Sequence, residues 1–411
     1  MFGGLFERGR CPIGVDLGSH TLRLLQLSRR GERLVALAAA CADVPANLPA
    51  HGAARTEALA QTLRDMLDSG GFSGRQAVSC LPPADVHYKN LRLPPMPAEE
   101  LAQAVKWEAS DRLKLTDGQG QVQFFDAGEV RQGEDLREEI ILLAAGAAQV
   151  EAHMQVLLQA GLQPVAIDAA PSALARTLTL DDDADAEAPA RLLLDVGYST
   201  SKALIVRHGR VLFFKLIDIG ASHFDQTVAQ RLTLPVAEAA QMRRKLAGDT
   251  PGRPGESDEA PAFFGSSRRE SVERAVFEAM RPTAGELARE VALCVRYYSV
   301  TFRGRRPEQL LLGGGQAYDP HLLRVLAEDA GLSVAPARPL AGIDVSRVPI
   351  LHQASGTLSQ WMTATGLSLR NGIRQASSGR AGGLFKARAE SPASLAAGHS
   401  TSLTAGREAA A

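Results

Sequence analysis

Cysteine is scarce in this chain of 411 residues, which contains only Cys11, Cys41, Cys80 and Cys294. The four are widely and irregularly spaced, without a C-x-x-C pair or a histidine at ligand spacing, so neither a disulfide framework nor a zinc site is expected. A surplus of charge is lacking too, because 45 lysine and arginine residues are matched by 46 aspartate and glutamate residues. This balance provides no basic field for binding nucleic acid or an anionic membrane.

Long apolar runs are also lacking. The longest uninterrupted stretch, around residues 140–148, falls far short of the roughly 18 residues that cross a bilayer. Glu7 stands where a signal peptide would carry its apolar region. We therefore expect a protein that stays in the cytosol and has no membrane span. Its length predicts two to three domains.

One segment near the N-terminus recurs in the middle of the chain. Residues 13–37 and 193–216 both read as three apolar strands separated by turns, and they share the turn motif D-x-G-x-x-T-x-[RK]. The defined positions of the motif are Asp16, Gly18, Thr21 and Arg23 in the first copy and Asp195, Gly197, Thr200 and Lys202 in the second.

Each part of this turn suits a phosphate. Glycine lets the backbone approach a ligand, while successive N–H groups and a hydroxyl form a concavity for phosphate oxygens. The basic residue adds charge, and the aspartate, with nothing local to pair with, would be balanced by hydrated Mg²⁺. One copy alone is typical of structural hairpins, whereas two copies in register favour a phosphate site. The predicted site also includes the intervening residues Ser19, His20 and Ser199.

A third element follows the second repeat. The apolar run Gln309 to Leu312 ends in Gly313, Gly314 and Gly315, and a helix pattern continues from His321 to Ala330. A glycine triplet between a strand and a helix lets the backbone pack against a ring or a ribose. By itself the triplet could equally be a flexible turn.

In this order, the three elements resemble the first phosphate loop, the second phosphate loop and the adenosine-side glycine motif of the actin, Hsp70 and sugar-kinase superfamily. Within it, the chain resembles the PilM family, the actin-like, FtsA-related cytoplasmic components of type IV pilus assembly. The resemblance covers about residues 2–370. It rests on the opening F-G-G-L-F-E-R-G-R-C-P-I-G-V-D-L-G-S, the stretch from Leu91 to Leu113, Arg296-Tyr297-Tyr298, L-L-L-G-G-G-Q-A-Y, and the closing A-T-G-L-S-L-R.

The resemblance implies an α/β actin-like ATPase fold. Each of two lobes would have a mixed sheet that opens with a β-meander, and an α+β subdomain would be inserted in the first lobe. The expected limits are 11–180 for the first lobe, with the insertion at about 76–145, and 190–370 for the second lobe. Composition predicts a mobile loop at about 248–269 and a disordered tail at 371–411.

The resemblance further implies that ATP and Mg²⁺ bind between the lobes, with Asp16 and Asp195 holding the metal through water. Gly220 belongs to the expected site, although Ala221 follows it where the family usually has a second glycine. Leu293 and Cys294 stand where the family often has a basic residue and a serine, and Glu290 remains suited to ribose hydroxyls.

The partner implied by the resemblance is the cytoplasmic N-terminal segment of a PilN-like inner-membrane protein, which would keep the chain peripheral at the inner membrane. A groove beside the insertion would bind it through Lys89, Leu91, Arg92, Leu93 and Trp107. Trp107 has an alternative interpretation, in which it packs the core of the subdomain. Contact with the pilus motor ATPases and self-association are further possibilities.

Three functions compete. The first is a cytoplasmic ATP-binding scaffold that links the PilN-like protein to the pilus motor, with at most weak ATPase activity. The second is an FtsA-like membrane-associated filament protein, although residues 391–411 lack the apolar helical stripe of a membrane anchor. The third is a metabolite kinase, which would need a positioned base and a polar substrate pocket that the insertion does not offer.

Overall fold

The computed structural model describes residues 9–45, 47–113, 120–180, 189–247, 266–303, 306–352 and 358–370. The predicted tail at 371–411 lies outside the described residues, as does the predicted mobile loop up to residue 265. Within the described ranges, none of the helices combines the length and apolar composition that crossing a bilayer requires.

The first lobe opens with the expected meander. Its antiparallel strands are β1 (Arg10–Leu17), β2 (Thr21–Arg30) and β3 (Arg33–Asp43), and α1 (Ala53–Ser69) leads to β4 (Gln76–Cys80), which runs parallel to β1. The strands read as nearly continuous apolar runs because both faces of the sheet are covered. Ile13 and Leu22 pack under α1, whereas Leu25 and Leu27 face the opposite side.

The insertion forms a small sheet with one helix. Its elements are β5 (His87–Leu93), α2 (Ala98–Leu113), β6 (Gly120–Gln132) and β7 (Asp135–Gly146), with the antiparallel strand order β5-β7-β6. α2 packs on the sheet through Leu101, Val105 and Ala109, which recur every four residues. The insertion begins at His87 instead of near residue 76, because Gln76–Cys80 is already committed to the first-lobe sheet.

The chain then returns to the first lobe and crosses to the second. α3 (Ala147–Gln159), β8 (Gln163–Asp168) and α4 (Ala170–Leu178) complete the return, and β8 pairs with β4. The second lobe contains β9 (Arg191–Val196), β10 (Ser201–Arg207), β11 (Arg210–Ile217), α5 (Ala221–Leu232), α6 (Val236–Leu246), α7 (Ser266–Phe302), β12 (Gln309–Gly314), α8 (Pro320–Ala330) and β13 (Ser333–Pro336). Its strand order is β11-β10-β9-β12-β13, with β12 parallel to β9.

The last described segment belongs to the first lobe, so the expected limit of the second lobe at residue 370 is wrong. β14 (Ile343–Asp344) pairs with β3 and sets the first-lobe order β14-β3-β2-β1-β4-β8, and α9 (Pro349–His352) and α10 (Met362–Ser368) follow. Every residue of α10 is buried. Trp361 and Leu369 cover the apolar face that Leu25 and Leu27 would otherwise expose to water.

The insertion also contacts the second lobe. The ring of Tyr88 on β5 lies against that of Phe214 on β11, with centroids 4.6 Å apart. The Arg92 Nε atom donates to Glu139 at 2.8 Å, and the hydroxyl of Tyr297 on α7 donates to the same buried carboxylate. The position of the insertion is therefore fixed by apolar packing and by a shared buried charge.

Candidate functional site

The two repeated turns meet between the lobes. The turn after β1 and the turn after β9 approach each other so closely that the hydroxyl oxygens of Ser19 and Ser199 are 3.1 Å apart. Beside them, the rings of His20 and Tyr198 stack at a centroid distance of 4.3 Å and an interplanar angle of 16°. Two segments about 180 residues apart in sequence thus form one surface, as the repeat predicts.

The two turns share a local geometry that requires glycine. A Cβ atom on Gly18 would lie 2.5 Å from the carbonyl oxygen of Thr21, and a Cβ atom on Gly197 would lie 2.7 Å from that of Thr200. No side chain fits at such distances, so the third position of the motif admits only glycine. In each turn the nearest obstacle is the carbonyl oxygen of the motif threonine.

The motif places an acid opposite a base. Across the first hairpin Asp16 is the register partner of Arg23, and across the second Asp195 is the partner of Lys202. The seven-residue spacing within the motif is therefore the spacing of cross-strand neighbours. Cross-strand neighbours of opposite charge lie close enough to attract each other.

One expectation about these aspartates is wrong. Asp195 is not without a local partner, because the Lys202 Nζ atom lies 2.8 Å from its Oδ2 atom and both side chains are largely buried. Among the described residues, no group of three or more histidine, cysteine, aspartate or glutamate side chains could hold a metal ion. A magnesium ion here would depend on Asp16, Asp195, water and the phosphates of its ligand.

The protonation of the site follows from this crowding. Burial raises the pKa of Asp16, the charges of Arg23 and Lys202 oppose that rise, and the carboxylate of Asp195 adds to it. Burial acts to lower the pKa of Lys202, but Asp195 and Asp16 outweigh it, so that pKa lies above its ordinary value. The lysine therefore stays charged, and its charge helps to hold Asp16 in the ionised form.

Two features fit a bound polyphosphate. The Nε atom of Arg23 is buried and has no hydrogen-bond partner within the described part of the chain, so it is a free donor beside Asp16. The serine hydroxyls of both turns, which are exposed residues, face the same gap. A phosphate group would accept from these donors and balance the cations.

Gly220 supports the second turn from behind. A Cβ atom there would lie 2.5 Å from the Tyr198 carbonyl oxygen. At the start of α5, the N–H groups of Ala221 and Ser222 donate to the carbonyls of Gly197 and Tyr198 at 2.9 Å each. These N–H groups are thus bound to protein, so the N-terminus of α5 orients the turn instead of binding phosphate itself.

The glycine triplet lies next to the aspartate of the second turn. In the parallel pairing of β12 with β9, Gly313 is opposite Asp195, and a Cβ atom on Gly313 would lie 3.2 Å from the Oδ1 atom of that aspartate. Gly314 has a φ of +82° and presses on the backbone of Val196. Gly315 faces open space, which leaves room for a ligand beside the triplet.

Glu290 is placed differently from the other predicted site residues. Its carboxylate accepts from the Lys215 Nζ atom at 2.5 Å, and none of its described contacts includes a residue of the two turns. Nearby, a cavity of about 540 Å³ separates the insertion from the second lobe. Its lining consists of Tyr88, Lys89, Asn90, Phe213, Phe214, Lys215, Leu216, Leu293, Cys294 and Tyr297.

The structure does not combine the five predicted partner residues into one surface. Leu91 is buried beneath α2. Arg92 points to the opposite face of β5, where it binds Glu139 and donates to the Thr301 hydroxyl at 3.1 Å. Trp107 is 68% exposed on the outer side of α2, so its alternative role in the subdomain core is excluded. Lys89 alone lines the cavity; Leu93 packs beside Leu91.

Sequence reasoning missed Tyr198 and Lys215. Tyr198 stacks on His20, but the two lie at different offsets from the aspartates of their turns, so aligning the repeats does not pair them. Lys215 pairs with Glu290 from a different element. Its signal was a basic residue that interrupts the apolar run from Val211 to Ile217.

A family model described as type IV pilus assembly protein PilM matches residues 14–253, which is more than half of the chain. The chain belongs to the PilM family. A solved structure titled "PilM-PilN type IV pilus biogenesis complex" is similar to it, with 22% identity and a TM-score of 0.68 over 87% of this chain and 98% of that one. It confirms the actin-like fold of a PilM protein.

Two more distant solved structures also match. The ethanolamine utilization protein EutJ from Carboxydothermus hydrogenoformans has 17% identity and a TM-score of 0.49, covering 87% of this chain and 89% of that one. Component A of the (R)-2-hydroxyglutaryl-CoA dehydratase of Acidaminococcus fermentans has 12% identity and a TM-score of 0.41, covering 87% of this chain and 96% of that one.

Proposed function

We propose that this PilM-family protein binds ATP with Mg²⁺ between its lobes and serves as a cytoplasmic scaffold of the pilus assembly machinery. The observation that carries the proposal is the meeting of two matched turns, with Ser19 and Ser199 in contact. Arg23 and Lys202 supply positive charge there, and the triplet at 313–315 leaves space beside Asp195.

Each group has a defined task in this proposal. The turn hydroxyls and the Arg23 guanidinium bind phosphate oxygens, and Lys202 balances their charge. Asp16 and Asp195 would hold Mg²⁺ through water, and the metal would supply charge neutralisation of the phosphates. Carboxylates in the two turns are limited to these aspartates, which are committed to the metal and to Lys202. We therefore expect hydrolysis to be slow, so that binding carries the function.

Titration calorimetry with Mg-ATP tests the proposal. We expect the wild type to bind and Asp195→Asn to lose most of the affinity, because the variant has one metal-binding carboxylate instead of two. Asp218→Asn is the matched control, since Asp218 is exposed at the end of the same meander. A wild type that binds no nucleotide, or equal affinity in both variants, contradicts the proposal.

The partner in this proposal is the N-terminal cytoplasmic segment of a PilN-like inner-membrane protein, and the scaffold would connect it to the pilus motor. The PilM structure that resembles this chain is titled as a complex with PilN. The 540 Å³ cavity offers aromatic walls in Phe213 and Tyr297, and Leu293 on α7 is 53% exposed at its side. An extended segment that becomes ordered on binding needs such apolar pockets to offset its lost entropy.

A synthetic peptide with the sequence of that N-terminal segment tests the partner site. Leu293→Gln should weaken peptide binding by about fivefold or more, because it removes an apolar contact worth about 1 kcal/mol. Val300→Gln is the control, as Val300 is 71% exposed on the same helix but does not line the cavity. Both variants should unfold like the wild type. If only Val300→Gln weakens binding, the peptide binds elsewhere on α7.

A further inference from the structure

Arg243 on α6 is a buried cation that ties together three other elements. It is 5% exposed, and its guanidinium lies over the ring of Phe224. On one side, its Nη1 atom donates to the Asp225 Oδ1 atom at 2.5 Å and to the Ala221 carbonyl at 3.3 Å. Both acceptors belong to the first turns of α5.

The other side of the guanidinium reaches the segment after the glycine triplet. The Nη2 atom donates to the Gln316 Oε1 atom at 2.5 Å and to the Asp319 Oδ2 atom at 3.0 Å. Asp319 is the N-cap of α8, and its Oδ1 atom accepts from the N–H groups of His321 and Leu322. One planar side chain therefore spans the start of α5 and the start of α8.

These two helix starts hold the two ends of the second-lobe site. The start of α5 is hydrogen-bonded to the carbonyls of Gly197 and Tyr198, so it carries the second turn. The glycine triplet and Gln316 come shortly before Asp319, the N-cap of α8. The direct pairing of β12 with β9 ends at Gly314 and Val196, so beyond it the spacing between the second turn and Gly315 depends on these two helix starts.

We infer that Arg243 is a positioning residue that sets the distance between the phosphate end and the nucleoside end of the site. The inference rests on the proposed binding of ATP and deepens it. A ligand that spans both ends requires the correct spacing, whereas a ligand that occupies one end does not. The preference for a whole nucleoside triphosphate over its parts is then controlled by a residue that touches neither part.

The chemistry of the guanidinium explains why arginine stands here. Its fork presents donors in one plane and reaches two carboxylates and a carbonyl at once, while a lysine ammonium is a single point charge. Arg243→Lys keeps the positive charge between Asp225 and Asp319, both buried, and so avoids two uncompensated carboxylates. It can reach only one of the two helix starts.

The test compares Arg243→Lys with Arg244→Lys, the same exchange at the neighbouring exposed position. Affinities are measured for Mg-ATP, inorganic triphosphate and adenosine. We expect Arg243→Lys to lose about tenfold in Mg-ATP affinity, with triphosphate and adenosine unchanged, because misplacement penalises only the spanning ligand. Gln316→Ala removes one hydrogen bond of Arg243 and leaves its ion pairs with Asp225 and Asp319. It should change the three affinities in the same pattern, and it replaces Arg243→Lys in the test if that variant does not fold.

Other outcomes overturn the inference. Equal loss for all three ligands means that the residue supports only the fold, and unchanged Mg-ATP affinity means that the spacing is set elsewhere. A wild type that binds no nucleotide refutes the proposed function instead. The link that Arg243 makes between the starts of α5 and α8 is then tested by measuring amide hydrogen exchange without ligand. In that case, faster amide exchange at both Ala221 and His321 in Arg243→Lys supports the link between the two helix starts, and unchanged exchange refutes it.

Discussion

Alanine at Gly366 should separate two helices that are in contact. Gly366 lies in α10, where a Cβ atom would be 1.8 Å from the carbonyl oxygen of Ala173 on α4. Because that obstacle is backbone, the helices must move apart by about 1 Å, and such overpacking costs about 1–3 kcal/mol. The movement also strains the bonds from Thr177 to the Met362 carbonyl and from Arg176 to the Gly366 carbonyl.

Those two hydrogen bonds contribute about 1 kcal/mol each, and alanine returns about 1 kcal/mol of helix propensity. We therefore expect Gly366→Ala to lower the free energy of unfolding by about 3 kcal/mol in urea titrations. Gly285→Ala in α7 is the matched control, since its Cβ atom would meet only the flexible, exposed carboxylate of Asp329 at 3.3 Å. This control should gain about 0.5 kcal/mol. Equal effects of the two substitutions would refute the reasoning.

Three further results are expected. Burial lowers the pKa of His153 to about 4, whereas the same ring in the unfolded chain takes up a proton below pH ~6.5. The free energy of unfolding should therefore fall by about 2 kcal/mol between pH 7 and pH 5 because of this residue. His153→Gln should remove that part of the pH dependence in urea titrations, and an identical pH dependence in wild type and variant would contradict the prediction. Trp107→Ala should change stability by less than about 0.5 kcal/mol and Leu91→Ala by about 2–4 kcal/mol, as measured by the same method. Arg92→Met should lower the free energy of unfolding by about 2 kcal/mol, because it leaves the buried Glu139 carboxylate without its cation. Adding Glu139→Gln should restore most of that stability. No recovery would mean that the loss comes from packing instead of charge.

The sequence predicts the meanders and their turns well because their determinants are local. Apolar strands and a glycine that must approach a carbonyl appear within a few residues of each other, and the repeat supplies an independent check. The pairing of Asp195 with Lys202 could also have been read from the seven-residue spacing, once a two-strand hairpin is assumed. Two residues seven apart around a tight turn lie opposite each other on the two strands, and the prediction did not use this relation.

Other features depend on contacts that no local pattern records. β14 is two residues long and pairs with β3 about 300 residues earlier, so nothing near Ile343 indicates the return to the first lobe. The prediction of one partner-binding surface was wrong for a different reason, because the sequence pattern already argued against it. Helical periodicity already separates Trp107 from Val105 and Ala109, and strand alternation separates Arg92 from Leu91.

The return of α10 to the first lobe has a consequence for synthesis on the ribosome. The second lobe is continuous in sequence between β9 and β13, so it can fold as soon as it emerges. The first lobe emerges earlier but lacks the segment that covers Leu25 and Leu27 until residues 343–370 are made. The lobe that is translated first is therefore completed last, and during that interval its uncovered apolar face is a surface that chaperones could bind.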